Sequence, residues 1–455
     1  MLHGSEVAQH KSADSCWIVL HNKVYDVTKF LDRHPGGRNI LLRQGGADAT
    51  SEFDKVHSME IVEDLPEGSY KGDLDPTAIQ ALNVPVNPPS AATPAIDSKE
   101  VKPLSLCVTA NDFQAEAQKV LDRRSWVYAS SSANAGLSLQ GNIDSWSQVS
   151  FRPRILRNVA SVSTTSSLLG HPSAVPFFIS PMGTMGMSHP NAELELVRGL
   201  ARKGVHGITS TASTKPLEEI IESHAAELQA LGGEGTSPSR LFFQLYIPTD
   251  RAKAVTLIQK VKRAGYKGLF ITVDTAVLGK RTEDRRKQAE EALADGLDHS
   301  KVLVPATEDG NENSFAPAVG ARPVPGQLSP MVTWEDLKWI RDEWTGPIVL
   351  KGIQTVEDAK LAAEHGCQGI LLSNHGGRQQ HTAPNALSTL LEIRTYYPGV
   401  LEKMEVYLDG GCRDGADVLK ALALGASAVG FGRPFFYAMA AYGSRGVERC
   451  IDSKL

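Results

Sequence analysis

From Phe177 onward, short apolar runs rich in β-branched and aromatic residues alternate with stretches of helical periodicity. The runs are Phe177–Ser180, His206–Ser210, Phe242–Tyr246, Leu269–Asp274, Pro347–Gly352, Gly369–Gly376, Glu405–Gly411 and Ala428–Pro434. Helical patterning follows, for example over Asn191–Lys203, Leu217–Leu231, Arg251–Ala264, Thr355–His365 and Ala416–Leu424. Strands alternating with helices imply parallel βαβ units, and eight of them predict a closed α/β (TIM) barrel. An open doubly wound sheet is the alternative, although no Gly-rich fingerprint follows the first run. Polar residues gather at the C-terminal ends of the runs, where such barrels place their chemistry.

Two stretches break the pattern. Between Lys280 and Pro330 the chain is rich in charge, Gly and Pro with little periodicity, which predicts a long mobile loop over 282–330, open to proteases. Thr77 to Lys102 is rich in Pro, Ala, Ser and Asn and reads as a semi-extended linker. The division that follows is a small α+β module over 1–76, a linker over 77–103 and the barrel over 104–455.

Composition agrees with 455 residues in two modules: 41% hydrophobic and 22% charged residues are those of a soluble globular protein. A net charge of −5 and a pI of about 6.2 offer no general attraction to nucleic acid or anionic lipid. No apolar run has the roughly 18 residues of a membrane span. Met1–His10 has no targeting pattern. Cys16, Cys107, Cys367, Cys412 and Cys450 are scattered and odd in number, which reads as a reducing, intracellular setting.

In the first module His34-Pro35-Gly36-Gly37 follows a strand-like KVYDVTKFL run, and His57 follows Phe53. Two imidazoles from opposite walls of an apolar slot can ligate haem iron from both sides and leave it an electron carrier; a plain turn and a surface histidine are the alternative. The run from Asp14 to Ser58 resembles the cytochrome b5 family. That resemblance covers residues 1–75 and implies a b-type haem with His34 and His57 as axial ligands.

The second module, from Leu104 to Cys450, resembles the FMN-dependent 2-hydroxy acid dehydrogenase and oxidase family, and the tandem is similar to that of the flavocytochrome b2 group. His375 and Arg378 lie in SNHGGR after the sixth run. A histidine titrates near working pH, and an arginine grips a carboxylate with two parallel bonds. The resemblance makes His375 the base and Arg378 the carboxylate clamp. It makes Asp274 the carboxylate that supports His375, although Asp274 could instead cap the next segment. Lys351, on the fifth run, would stabilise negative charge on the reduced flavin, or else extend its amine to the surface. Tyr246 and Tyr128 match substrate-facing tyrosines, and Arg281 is a second cation for the substrate. The ring would meet Ser180, Gly183, Ser210, Gln244 and Thr272. The phosphate would lie over Asp409, Gly410, Gly411 and Arg413 and over Gly432 and Arg433, because barrels bind phosphate beyond strands seven and eight.

The chain departs from the family after Gln379, where Gln380-His381-Thr382 replaces a longer stretch, and near its end, where the closing helix looks cut to two or three turns. Gly183 stands where relatives carry Ala, and Ala212 where the lactate-oxidising member has Leu, so the substrate is expected to be bulkier than lactate. The implied activity is FMN-dependent oxidation of an L-2-hydroxy acid, with electrons passed to haem b and then to cytochrome c or a similar acceptor. An oxygen-using oxidase and a haem electron carrier with an inactive barrel are the rivals. The resemblance also implies a homo-tetramer. Ser453-Lys454-Leu455 reads as a peroxisomal address, with cytoplasm and the mitochondrial intermembrane space as alternatives.

Overall fold

The computed structural model describes residues 1–34, 38–75, 100–233, 237–294, 296 and 329–454. In the small module, strands Lys11–Ser12, Ser15–Leu20, Lys23–Asp26 and Tyr70–Asp73 form an antiparallel sheet. Leu20 pairs with Lys23 across the two-residue turn His21-Asn22, and both turn residues have the positive φ that a tight right-twisted hairpin requires. Cys16, Ile18, Leu20, Tyr25, Val27 and Leu31 fill its core, with Phe30, Leu42 and Phe53 packed beside them. Part of the His34–Gly37 turn lies outside the described residues.

All eight expected runs are strands of one closed parallel barrel: β1 (Phe177–Ile179), β2 (His206–Ser210), β3 (Leu241–Leu245), β4 (Leu269–Thr272), β5 (Ile348–Ile353), β6 (Gly369–Leu372), β7 (Glu405–Asp409) and β8 (Ala428–Phe431). Every strand sends one residue into an interior layer: Phe178, Ile208, Phe242, Phe270, Val349, Leu371, Tyr407 and Ala428. Leu168, from the hairpin Ser166–Leu168/His171–Ser173, joins the same cluster. Side chains of a strand alternate between its faces, so the next inward position is two residues further on. Those positions are Ser180, Ser210, Gln244, Thr272, Lys351, Ser373, Asp409 and Gly430. A dry floor therefore carries a ring of polar groups at the C-terminal mouth.

The connection after β4 corrects the expected loop. Thr282–Ala294 is a helix, and the remainder of the stretch, through residue 328, lies largely outside the described residues. Its inward face includes Asp284 and Arg285 beside Ala289 and Ala292, so the buried stripe has little apolar signature. The chain's last helical segment spans Arg433–Asp452 and turns at Gly443, whose φ is +59°. The part beyond that turn has about the two to three turns expected. It is not loosely held: Val447, Cys450 and Ile451 are all buried.

Candidate active site

One cavity opens at the barrel mouth, above the polar ring. Its wall includes Ser180, Gly183, Ser210, Gln244, Thr272, Lys351, Asp409, Gly410, Gly411, Arg413, Gly432 and Arg433, with Tyr128, Tyr246, Arg281, His375 and Arg378. Every expected barrel-site residue is thus at the cavity except Asp274, which stands directly behind His375. The two expected haem ligands belong to the other module.

His375 opens a sharp turn after β6 and holds a φ of +60°, a conformation that costs a non-glycine residue on the order of 1–3 kcal/mol. The turn is over-determined. The His375 N–H donates to Ser373 Oγ at 3.0 Å, and the Gly377 N–H donates to Asn374 Oδ1 at 3.0 Å. Asn374 also exchanges amide hydrogen bonds of 2.8 Å with Asn142 of the overlying helix Leu137–Ser147.

His375 Nδ1 lies 2.8 Å from Asp274 Oδ1, on a side chain only 1% exposed. Thr275 Oγ1 donates to that same oxygen at 2.8 Å, and Lys351 Nζ stands 3.5 Å from Oδ2. Burial alone would raise the Asp274 pKa, but the charges of His375 and Lys351 outweigh it and hold the carboxyl well below its usual range. Burial also lowers the His375 pKa; Asp274 opposes this, Lys351 adds to it, and the net shift is downward. At neutral pH the pair is therefore a carboxylate and a neutral imidazole. With its Nδ1–H given to Asp274, the ring turns an Nε2 lone pair toward the cavity, where Tyr246 Oη stands at 3.3 Å. Burial raises the Tyr246 pKa far above its ordinary value, with Asp274 adding to the shift, so the phenol stays protonated.

A cluster of cations makes the opposite wall. Arg378 Nη1 donates to the carbonyls of Tyr128 at 2.7 Å and Ser131 at 3.1 Å, and the guanidinium lies 4.9 Å above the Tyr128 ring. Its Nη2 is buried without a hydrogen-bond partner among the described residues, as is Nε of Arg281. Burial, then repulsion from Arg378, pulls the Arg281 pKa down to about 10. The buried Asp284 carboxylate faces this cluster, and it accepts from Ser131 Oγ at 3.0 Å. Two buried guanidinium groups with free donors call for an anion.

A third guanidinium, Arg433, opens the last helix. It donates to the carbonyls of Ala129, Gly376 and Ser131 at 2.8–3.0 Å. Arg413 instead reaches back to Asn111 Oδ1 and Gln114 Oε1 at 2.8 and 2.9 Å. Gly410 and Gly411 both have positive φ, and a Cβ on Gly411 would overlap the Asn142 carbonyl, so that turn requires glycine. Along the floor, Ser210 Oγ donates to Gln244 Oε1 (2.8 Å) and Gln244 Nε2 to Thr272 Oγ1 (2.9 Å). Ser180 and Ser373 both donate to Asp409. The Lys351 ammonium, on a side chain 4% exposed, lies 3.5 Å from Asp274 Oδ2 and from Ser373 Oγ. Amide, hydroxyl and ammonium donors at one end of the cavity and an arginine at a helix N-terminus at the other fit a flavin mononucleotide.

Sequence reasoning missed Thr275, Ser373, Asn142 and Asp284. Ser373 follows from strand alternation, two residues beyond Leu371, and Thr275 adjoins Asp274. Asn142 and Asp284 lie on helices whose pairing with the site has no local signal.

In the small module the His34 and His57 rings stand edge to face with centroids 6.3 Å apart. A metal–nitrogen bond of about 2 Å on each side, plus roughly 1 Å from nitrogen to ring centre, needs this spacing. The two histidines fit the axial positions of one haem. His57→Ala is expected to abolish a low-spin six-coordinate haem spectrum while substrate still reduces the flavin; a surviving low-spin spectrum would contradict the ligand pair.

Comparison with known proteins decides the family. The model of the FMN-dependent dehydrogenases matches residues 117–453, and that of the cytochrome b5-like haem/steroid binding domain matches residues 4–75. The chain belongs to the FMN-dependent dehydrogenase family. An L-lactate dehydrogenase (cytochrome) of Wickerhamomyces anomalus is 34% identical over 98% of this chain and 74% of its own length, so the whole tandem is matched. Among solved structures, a flavocytochrome b2 variant with alanine changed to glycine and leucine to alanine, with pyruvate bound, gives a TM-score of 0.65. It is 33% identical, over 77% of this chain and 81% of that one. The leucine-to-alanine variant with benzoylformate gives 0.66 at 32%, over 77% and 81%. This member of the family is an FMN- and haem b-dependent 2-hydroxy acid dehydrogenase. Among the described residues no helix is long and apolar enough to cross a membrane.

Proposed function

We propose that this dehydrogenase oxidises an L-2-hydroxy acid with a side chain larger than the methyl of lactate, and delivers the electrons to an external acceptor such as cytochrome c. Bound FMN supplies the two-electron acceptor and haem b the one-electron relay. His375 Nε2 takes a proton from the substrate, and Asp274 stabilises the imidazolium that results. Arg378 and Arg281 hold the carboxylate with Tyr128 beside them, and Tyr246 donates to the substrate oxygen. Lys351, Ser180, Gly183, Ser210, Gln244 and Thr272 would line the flavin ring, and Arg433 with Asp409–Arg413 and Gly432 would line its phosphate.

The observation that carries the substrate class is the wall formed by Gly183 and Ala212. A Cβ on Gly183 would lie 2.7 Å from Cβ of Ala212, so the pair occupies one spot with a single methyl. The flavocytochrome b2 variants with the same kinds of replacement, solved with pyruvate and with benzoylformate, support this reading. Comparing kcat/KM for L-lactate, L-mandelate and L-2-hydroxyoctanoate tests it.

The pH dependence tests the base. The His375 pKa lies below the ordinary 6.5, so kcat/KM is expected to hold at neutral pH and fall only as pH drops below that value. Asp274→Asn removes the one strong influence that raises this pKa. The acid limb should therefore move to still lower pH while kcat falls. A limb above 6.5, or one that rises in the variant, would contradict the assignment.

A homo-tetramer and a peroxisomal address complete the proposal. Lys454 is packed against the barrel with its ammonium over the Phe431 ring, and Leu455 lies outside the described residues. Receptor recognition requires the tail to leave that seat. An N-terminally tagged chain is expected in peroxisomes, and deletion of Ser453–Leu455 should release it; a location indifferent to the deletion would overturn the address.

A further inference from the structure

The charge of the chain is unevenly divided. Residues 1–75 hold 13 Asp and Glu against eight Lys and Arg, so the net −5 of the whole protein resides in the haem module. The helix Arg251–Ala264 on the barrel has the opposite bias. It carries Arg251, Lys253, Lys260, Lys262 and Arg263 and no acidic residue. The two meet. In the short helix Met59–Asp64, just after His57, Asp64 pairs with Lys253, and Glu60 pairs with Lys260 at 2.8 Å.

Beside these ion pairs the contact is close and apolar. Val56 packs against the main core of the barrel. A Cβ on Gly186 would overlap the Lys55 carbonyl, so the absence of a side chain there lets the backbones approach. Gly186 itself is tied to the next loop, because its N–H donates to Thr214 Oγ1 at 2.9 Å. Gly186 lies three residues beyond Gly183 of the cavity wall, and Lys55 lies two residues before His57.

We propose that Gly186 and the helix Arg251–Ala264 form a charge-matched seat for Lys55–Asp64, which holds the His57 wall of the haem module against the cavity rim. The inference rests on the electron-transfer reading above and adds the surface that governs it. Exposed ion pairs contribute little to stability singly and are screened by salt. Their effect is on how often the module is seated and hence on the rate of haem reduction. Flavin reduction, which takes place inside the barrel, is independent of the seat.

Stopped-flow reduction of the full-length holoenzyme by substrate tests this, with flavin and haem followed separately. Lys253→Glu with Lys260→Glu, and Glu60→Lys with Asp64→Lys, should each slow haem reduction about tenfold or more. Combining all four changes should bring the rate back to within about threefold of wild type. Flavin reduction should be unchanged throughout. Haem reduction at the wild-type rate in either reversed protein would overturn the seat, as would a combined swap no faster than the reversals. If no 2-hydroxy acid reduces the flavin, the proposed activity fails, and carbodiimide cross-linking of the holoenzyme decides the seat alone. A zero-length link from Lys253 to Asp64 or from Lys260 to Glu60 supports it, and the absence of both overturns it.

Discussion

Replacing His375 with glutamine is expected to lower kcat/KM by about 10²–10⁴-fold, the usual worth of a positioned general base. Asp274 accepts at Nδ1 from 2.8 Å, so the free lone pair sits on Nε2 and points into the cavity. Glutamine keeps a polar group of similar reach but cannot take up a proton. The turn that carries it is held by Ser373, Asn374 and Asn142, so the barrel should still fold and bind FMN, and both cofactor spectra should persist. Steady-state kinetics on the spectrally intact variant make the check. Activity within about tenfold of wild type would remove His375 from the base role.

The second large effect concerns the substrate pocket. Wild-type enzyme is expected to prefer mandelate or 2-hydroxyoctanoate to lactate, and Ala212→Leu to reverse that order. Each methylene in an apolar pocket discriminates by roughly 1–3 kcal/mol, or about 10–200-fold, and leucine adds three carbons to the wall. Gly183 is the weaker place to intervene, because a Cβ there would meet Ala212 closer than side chains normally pack. The measurement is the ratio of kcat/KM values for the bulky acid and for lactate in both proteins. A wild-type preference for lactate, or a ratio unmoved by Ala212→Leu, would overturn the substrate class.

The fold was legible because it follows from periodicity, and most of the site was legible through the motifs that carry the family resemblance. Eight apolar runs became eight strands, and strand alternation alone carries Phe178 to Ser180, Phe242 to Gln244 and Val349 to Lys351, from floor to functional layer. The helix Thr282–Ala294 was illegible for the same physical reason. Its buried stripe contains Asp284 and Arg285, and its outer charges pair with other elements, as Glu290 does with Arg123 and Glu291 with Arg43. Arg413 matched a motif, yet part of its hydrogen bonding goes to Asn111 and Gln114, a tertiary contact that no local pattern encodes. Asn142 shows the limit most clearly. It braces the His375 turn from a helix 232 residues away in sequence, through one reciprocal amide pair with Asn374.

If the two modules work as proposed, a 2-hydroxy acid reduces a flavin in this barrel and the electrons reach a haem held by His34 and His57. Anaerobic mixing of the holoenzyme with L-2-hydroxy acids, recorded at the flavin and haem absorbance bands, tests it most directly. An L acid is expected to bleach the flavin first, and the reduced b-type haem band to appear afterwards. A flavin that no 2-hydroxy acid reduces, or a haem that stays oxidised beside a reduced flavin, would contradict it.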